Sequence, residues 1–362
     1  MHDDGDEFGF QWHITDHCNR RCRHCYQERF DSGREPSIDS LISLTHAIFP
    51  PLAPLPVTVN VTGGEPLLVA GIERFLAALA SHGNCCGISI ITNGTIANEA
   101  LLDRIGAAAP ISAFKVSLES DIPRVNDAIR GRGHLACLTR TIPLLRARAP
   151  VVLMVTLARY NVNAVSGICA LARRLGAEGV VFERYVPLGQ GAALRDRMLD
   201  SAGWSRAITL CAREAGVDHE PGELLPYRAF WVVTGNRDND DTLRGALCNL
   251  GAGSMALMPD GTVFPCRRLP LPVGRLPADS MTAVREQLRR YDPRTLPSHL
   301  RPAQCNGCSE RDGCAGCRAL ARACSGSLQG DDPQCARFAV AAEDPGATDG
   351  ATPAKGDREP GR

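Results

Sequence analysis

The chain has 362 residues with 40 basic and 40 acidic side chains, so its formal charge is zero, and 44% of it is hydrophobic. That length suits one large domain with a sizeable core plus a smaller one, and the neutral balance makes no electrostatic case for nucleic acid or an anionic membrane as partner. The acidic start MHDDGDEFGF has neither the basic nor the apolar region of a signal peptide. Runs such as PVVLMVTLA are too short to span a bilayer, so a cytoplasmic location is expected.

In chain order, strands are predicted at 9–16, 57–62, 88–92, 112–118, 151–157 and 179–185, with helices at 37–49, 71–82, 97–106, 134–148 and 163–175. Such alternation argues for a parallel sheet with crossover helices. Six units suit an open doubly wound sheet or an incomplete barrel. The barrel is favoured because unusual residues follow every strand: Cys18, then Gly63-Gly64-Glu65, Asn93-Gly94, Ser117 and Glu119, Tyr160-Asn161, and Pro187-Leu188-Gly189. Barrels place their sites at the C-terminal strand ends, whereas an open sheet concentrates them at one switch point. In the fourth strand, period-2 alternation puts Lys115, Ser117 and Glu119 on one face, expected to be the lumen.

Residues 1–200 are therefore read as the α/β barrel domain, and 201–247 as a helix (200–216) with a polar linker or substrate loop. Residues 248–340 form a segment rich in Cys, Gly and Pro, with one helix near 279–291 and too few periodic apolar residues for a core of its own, so metal is expected to organise it. Residues 341–362 read as a disordered tail.

Sixteen cysteines are too many for an ordinary chain of this length. Clustered thiols at short spacings without a secretion signal point to metal rather than disulfides. Cys85, Cys86, Cys137, Cys169, Cys211 and Cys324 stand outside such clusters and are mostly expected to be structural. Cys18-x3-Cys22-x2-Cys25 offers three thiolates on a loop after a strand. Three thiolates can hold three irons of a cubane and leave the fourth open. A zinc ion completed by His17 or His24, or three unrelated thiols, are the alternatives. Further on, Cys305-x2-Cys308 and Cys314-x2-Cys317 could form a zinc ribbon, which would leave Cys248, Cys266 and Cys335 unexplained.

The stretch WHITDHCNRRCRHCYQ, followed about 40 residues later by TGGEP, resembles the radical S-adenosylmethionine (SAM) superfamily. The resemblance implies a partial (β/α)6 TIM-type barrel over residues 9–190. It also implies a 4Fe–4S cluster on Cys18, Cys22 and Cys25 whose open iron binds S-adenosylmethionine. Reductive cleavage of that cofactor would give a 5′-deoxyadenosyl radical, with the protein supplying position and exclusion of water. Carried residue by residue, it makes Gly63 and Gly64 a close backbone approach to the ligand, Glu65 or nearby carbonyls an acceptor for the methionine ammonium, and Pro66 a stiffener of that turn. His24 and Tyr26 would pack near the adenine, and Asn93 would line the cofactor. Ser117 is a candidate for the methionine carboxylate. Arg130, in Asn126-Asp127-Ala-Ile-Arg130-Gly131, is a further candidate, or else part of a solvated helix end.

The later cysteines resemble the SPASM extension, in which seven cysteines help to bind two auxiliary iron–sulfur clusters, expected to be 4Fe–4S. Carried across, Cys305, Cys308, Cys314 and Cys335 complete one cluster, and Cys248, Cys266 and Cys317 hold the other. Here two residues, not the family's three, separate Cys314 from Cys317. No cysteine stands just upstream of Cys248, so the inner cluster would have an open iron unless Cys324 or a non-thiolate ligand fills it.

Three functions fit. Peptide maturation (a thioether, carbon–carbon link, epimer or unsaturation in a ribosomally made precursor peptide) comes first. Oxidative modification of a tetrapyrrole in haem-type biosynthesis is second, and a non-catalytic iron–sulfur electron carrier third. A peptide maturase would lack the winged-helix-type recognition domain that many relatives carry before the first strand, and would need the SPASM surface or a separate recognition protein. Flavodoxin or ferredoxin is the expected electron donor. Arg267-Arg268 follow Cys266 where sulfatase-maturing enzymes place an acidic base, which argues against that activity; the two arginines are instead candidates for a substrate carboxylate.

Overall fold

The computed structural model of the chain describes residues 7–31, 33, 35–218, 223–224, 226–235, 242–251, 253–297, 301–335 and 337. Strands β1 (Phe8–His13), β2 (Val57–Thr62), β3 (Cys85–Thr92), β4 (Ala113–Ser117), β5 (Val151–Leu157) and β6 (Gly179–Arg184) pair in that order, all parallel. Helices α1 (Ile38–Leu52), α2 (Ile72–Ala80), α3 (Glu99–Ala108), α4 (Pro123–Arg130), α5 (His134–Arg146), α6 (Val165–Leu175) and α7 (Ser201–Ala215) connect and flank them. Their starts are set by local chemistry: Ser37, Asn98 and Asp200 accept from the backbone N–H three residues on, satisfying donors that the first turn leaves orphaned.

The strands turn an apolar row to the helices, and the opposite row mixes polar side chains with apolar ones such as Ile91 and Met154. Phe8, Phe10 and Trp12 of β1 are buried in the core beneath the helices, with Trp12 edge-on to Phe75 of α2 at 4.9 Å. Val57, Val59 and Val61 do the same from β2, and Phe114 and Val116 from β4. The other row carries Gln11, Asn60, Ser117, Thr156 and Glu183, all lining one cavity. Parallel strands packed on both faces read as near-continuous apolar runs. Alternation here marks a lumen that houses a site.

The sheet is larger than the six units foretold. Its order is β11-β10-β9-β1-β2-β3-β4-β5-β6-β7-β8, with no pairing between β11 and β8 among the described residues, so the barrel they form is not closed. Strands β7 (Ala229–Val233) and β8 (Leu243–Ala246) extend it antiparallel beyond β6. They fall in the stretch expected to be a linker: Ala-Phe-Trp-Val-Val is a short β-former run whose partner lies some 50 residues back (Val181↔Trp231). Strand β9 (Ser254–Leu257) runs parallel to β1, followed by β10 (Thr262–Phe264) and β11 (Gly274–Arg275). Met255, Leu257, Val263 and Leu276, with Met281, Val284 and Leu288 of α8 (Met281–Arg289), belong to the main core. These residues of the segment after 248 thus pack into the barrel's apolar body. Helix α9 (Arg318–Ser325) contributes Ala319 and Leu320 to a separate small cluster with Val186, Leu250 and Leu269 from earlier in the chain. The tail read at 341–362 lies outside the described residues.

Candidate active site

The loop after β1 carries Cys18, Cys22 and Cys25, the first two 8% and 7% exposed. Backbone N–H groups of Arg20 and Gln27 each reach a thiol sulfur, Cys18 and Cys25 respectively, at 3.4 Å. Two side chains add donors: Asn93 Nδ2 lies 3.9 Å from Cys18 Sγ, and Arg130 Nη1 3.7 Å from Cys22 Sγ. Burial pushes the Cys18 thiol up to about 11 and raises that of Cys25. These thiols would give up their protons to a bound cation, as metal-ligating thiols must.

Neighbouring loops fix this one closely. Gly64 N donates to Thr15 O and Glu65 N to His17 O, both at 2.8 Å. A Cβ on Gly64 would stand 2.2 Å from His17 O, and one on Gly63 (φ +149°) 2.4 Å from Thr15 O. The two glycines therefore admit the cysteine loop's own backbone, while also lining the cavity. Glu65 is fully buried. One carboxylate oxygen accepts from Leu67 N (3.1 Å) and Thr92 Oγ1 (2.7 Å), the other from Asn93 N (2.7 Å). Burial outweighs these bonds and lifts its carboxyl to about 7. Neither Glu65 nor Pro66 lines the cavity, whereas Gly63 and Gly64 do. On the other side, Gly191 N donates to Cys25 O at 2.8 Å, and a Cβ on Gly189 would meet Tyr26 O at 2.4 Å.

A carboxylate that sequence reasoning placed in the lumen proves to be the hub behind the loop. Glu119 is fully buried. Its Oε1 accepts from Arg130 Nε (3.0 Å) and Nη2 (2.5 Å) and pairs with His24 Nε2 at 3.0 Å; its Oε2 accepts from Thr156 N at 3.2 Å. Burial acts to raise its carboxyl, but His24 and Arg130 outweigh that and hold it below the usual range. Asn126 Oδ1 accepts from Glu119 N (3.0 Å), and the Asn126 amide meets His134 Nδ1 (3.1 Å), whose Nε2 meets Asn93 O (3.1 Å). Burial, aided by Arg130, lowers His134 to about 4, so the ring is neutral.

One cavity of about 510 Å³ joins these parts to the C-terminal cysteines. Cys18, Cys22 and Cys25 line it, and so do Cys248, Cys266 and Cys317; between them lie Tyr26, Asn93, Ser117, Met154 and Glu183. Arg267 also lines it, its guanidinium 4.5 Å over the Tyr26 ring. Arg268 is turned to Glu183 (3.6 Å) and donates to Arg184 O (3.1 Å), so the two arginines read as a pair do different things. Glu183 is a cavity carboxylate that period-2 alternation along β6 could have marked. The other four cysteines lie together: Cys305 feels the charges of Cys314, Cys335 and Cys308. Cys324 turns elsewhere, its sulfur 3.7 Å from Met198 Sδ.

Among the described residues, no three His, Cys, Asp or Glu converge as a single metal ion requires. An iron–sulfur cubane spreads its thiolates over separate corners. Among the described residues, buried cavity-lining donors without acceptors fit an anionic group here: Arg184 Nε, Arg267 Nε, and Nε and Nη2 of Arg318. Native interiors rarely leave such donors unpaired.

Residues 12–172 match the radical SAM superfamily. The chain is 26% identical over 347 residues to the AdoMet-dependent heme synthase of Nitratidesulfovibrio vulgaris, covering 90% of each. It is 26% identical over 341 residues to the mycofactocin maturase MftC of Mycobacterium ulcerans (90% of this chain, 86% of that one). To the PqqA peptide cyclase of Ruegeria pomeroyi it is 25% identical over 332 residues (90% and 86%). The solved structure of native anSMEcpe with bound AdoMet superposes with a TM-score of 0.68 at 15% identity, covering 91% of this chain and 94% of that one, and so shares its fold. No helix among the described residues is long and apolar enough to cross a membrane. With its cysteine loop, glycine-backed second strand and parallel-rich sheet, the chain carries a radical SAM domain and is a radical SAM enzyme, of the class that binds a 4Fe–4S cluster and S-adenosylmethionine.

Proposed function

We propose that this enzyme oxidatively modifies a ribosomally made precursor peptide, with Cys18, Cys22 and Cys25 holding the SAM cluster. Cys248, Cys266 and Cys317 would hold an inner auxiliary cluster, and Cys305, Cys308, Cys314 and Cys335 an outer one. The bound cofactors would supply reductive cleavage of S-adenosylmethionine to a hydrogen-abstracting radical. The chain's own residues bind and orient: Asn93, Ser117, Arg130 and the Gly63-Gly64 backbone around the cofactor, His24 and Tyr26 beside it, and Arg267 over Tyr26.

The observation that carries this reading is the single cavity lined at once by Cys18, Cys22, Cys25 and by Cys248, Cys266, Cys317. A substrate held there lies between a radical source and an electron acceptor, the layout an oxidative modification needs. A peptide is favoured because Ala246, the exposed last residue of β8 at the sheet's edge, lines the cavity together with Leu247, the residue that follows it. An extended peptide can add to such an edge with its main chain. The relative named as a peptide cyclase supports the same substrate class. A one-electron donor of flavodoxin or ferredoxin type and a separate recognition protein are the implied partners.

A tetrapyrrole is the second reading. The relative named as a heme synthase matches over 90% of both chains, and Arg20, Arg267 and Arg268 line the cavity, where guanidinium groups could take propionates. The test is 5′-deoxyadenosine formation by the anaerobically reconstituted enzyme with a cysteine-containing precursor-like peptide or with a haem precursor. Stimulation by peptide together with a mass loss in it supports maturation. Stimulation by the tetrapyrrole alone overturns it in favour of the second reading.

A further inference from the structure

The two C-terminal cysteine sets share their cationic neighbours. Arg228, one residue before β7, donates from Nη2 to Cys314 Sγ at 2.6 Å and lines the cavity with Cys248 and Cys317. The charges of Cys314, Cys248 and Cys317 all act on it. Arg318, the first residue of α9 and the neighbour of Cys317, is 3% exposed. Its Nη1 donates to Leu328 O (2.6 Å) and Gly330 O (2.8 Å), while Nε and Nη2 find no acceptor among the described residues. Arg318 feels Cys317 of one set and Cys305 of the other. Asp332 does not serve as its hydrogen-bond partner, for that carboxylate is held by Arg184 Nη1 and Cys317 N, each at 2.8 Å.

A buried guanidinium with idle donors is costly, and a fold keeps one when an anion outside the polypeptide completes it. A cubane with thiolate ligands is anionic, and two such centres close together repel. Hydrogen bonds to cluster sulfurs and nearby charge set reduction potentials. We propose that Arg228 and Arg318 are positioning residues shared by both auxiliary iron–sulfur centres, donating to their facing sulfurs and holding both reduction potentials up. The inference rests on the reading that each of the two cysteine sets holds a centre. Its consequence is that both centres accept an electron more readily than they would without the two guanidinium groups.

The test uses the full chain with Cys18, Cys22 and Cys25 all changed to Ala, so that only the auxiliary centres contribute signals. About eight iron atoms per chain are then expected, two four-iron centres. Redox titration followed by electron paramagnetic resonance compares this parent with Arg318→Gln, Arg318→Lys and Arg228→Gln. Both midpoints are expected to move to more negative potential in each Gln variant, with iron retained, and to return toward the parent in Arg318→Lys. If Arg318→Gln fails to load iron, Arg228→Gln reads the same shift. Retained iron with unmoved midpoints overturns the inference alone, and movement of one midpoint only overturns the sharing. A parent without iron overturns the two-centre reading together with it.

Discussion

Arg130 divides its guanidinium between Glu119, whose Oε1 it meets through Nε and Nη2 at 3.0 and 2.5 Å, and Cys22, whose Sγ lies 3.7 Å from Nη1. Both members of the ion pair are buried, with side chains 12% and 0% exposed. Removing one member of such a pair strands a charge and costs about 3–5 kcal/mol. Arg130→Met and Glu119→Gln should each destabilise the chain on that scale in anaerobic denaturant titrations. The double variant should lose much less than the sum; strict additivity would show that the pair is not coupled.

Glu65 gives a pH signature. Its carboxyl is raised by burial to about 7 from the usual 4.5, so the folded chain binds a proton there that the unfolded chain has released. Its contribution is full below the unfolded value and is lost as pH rises through about 7, by about 3 kcal/mol. His134, lowered to about 4, works in the opposite sense, since stability falls as pH drops below its unfolded value of 6.5. The difference between wild type and Glu65→Gln isolates the first effect: wild type should lose stability relative to Glu65→Gln between pH 5 and 8. A flat difference would contradict the burial argument.

Gly64 and Gly106 make a matched pair. A Cβ at Gly64 collides with His17 O, whereas one at Gly106, inside α3, meets nothing within 4 Å. Gly64→Ala should therefore weaken S-adenosylmethionine binding at least roughly tenfold, about 1.4 kcal/mol, measured by calorimetry on reconstituted protein. Gly106→Ala should leave binding intact and stabilise the helix by roughly 0.5–1 kcal/mol.

Cys324 lies two helical turns along α9 from Cys317, the residue that caps that helix, and its sulfur faces Met198. At 1.5 Å per residue that is roughly 10 Å, and Cys324 does not line the cavity that Cys248, Cys266 and Cys317 share. Cys324→Ala should keep the wild-type iron content and Cys248→Ala should lose iron. Equal loss in both would mean that Cys324 is a ligand and that the inner centre has no open iron.

Much of the barrel was legible because its outward rows are apolar sets such as Val57, Val59 and Val61 or Phe114 and Val116, and its strands end in turn residues. Strands β2 and β5 fall on the predicted spans, Val57–Thr62 and Val151–Leu157. Helix α4 escaped because Pro-Arg-Val-Asn-Asp-Ala-Ile-Arg has only two strongly apolar residues, and Arg130 was left between a cofactor contact and a helix end. Strands β9 to β11 escaped because they have two to four residues and β9 finds its partner β1 across the whole barrel (Gly9↔Ser254). Spacing brought Cys18, Cys22 and Cys25 together correctly as a loop, and the cavity unites them with Cys248, Cys266 and Cys317. Spacing does not tell where a carboxylate points. Hence Glu119 was read toward the lumen, and the choice between Glu65 and nearby carbonyls stayed open, while both carboxylates are turned into the protein to fix loops.

The most direct test is chemical. The protein, reconstituted anaerobically with iron and sulfide and given S-adenosylmethionine and a strong one-electron reductant, should form 5′-deoxyadenosine. Cys25→Ala, prepared in the same way, should form none above background. Equal product from both, or none from either despite bound iron, would contradict the assignment of Cys18, Cys22 and Cys25 as the site of radical generation.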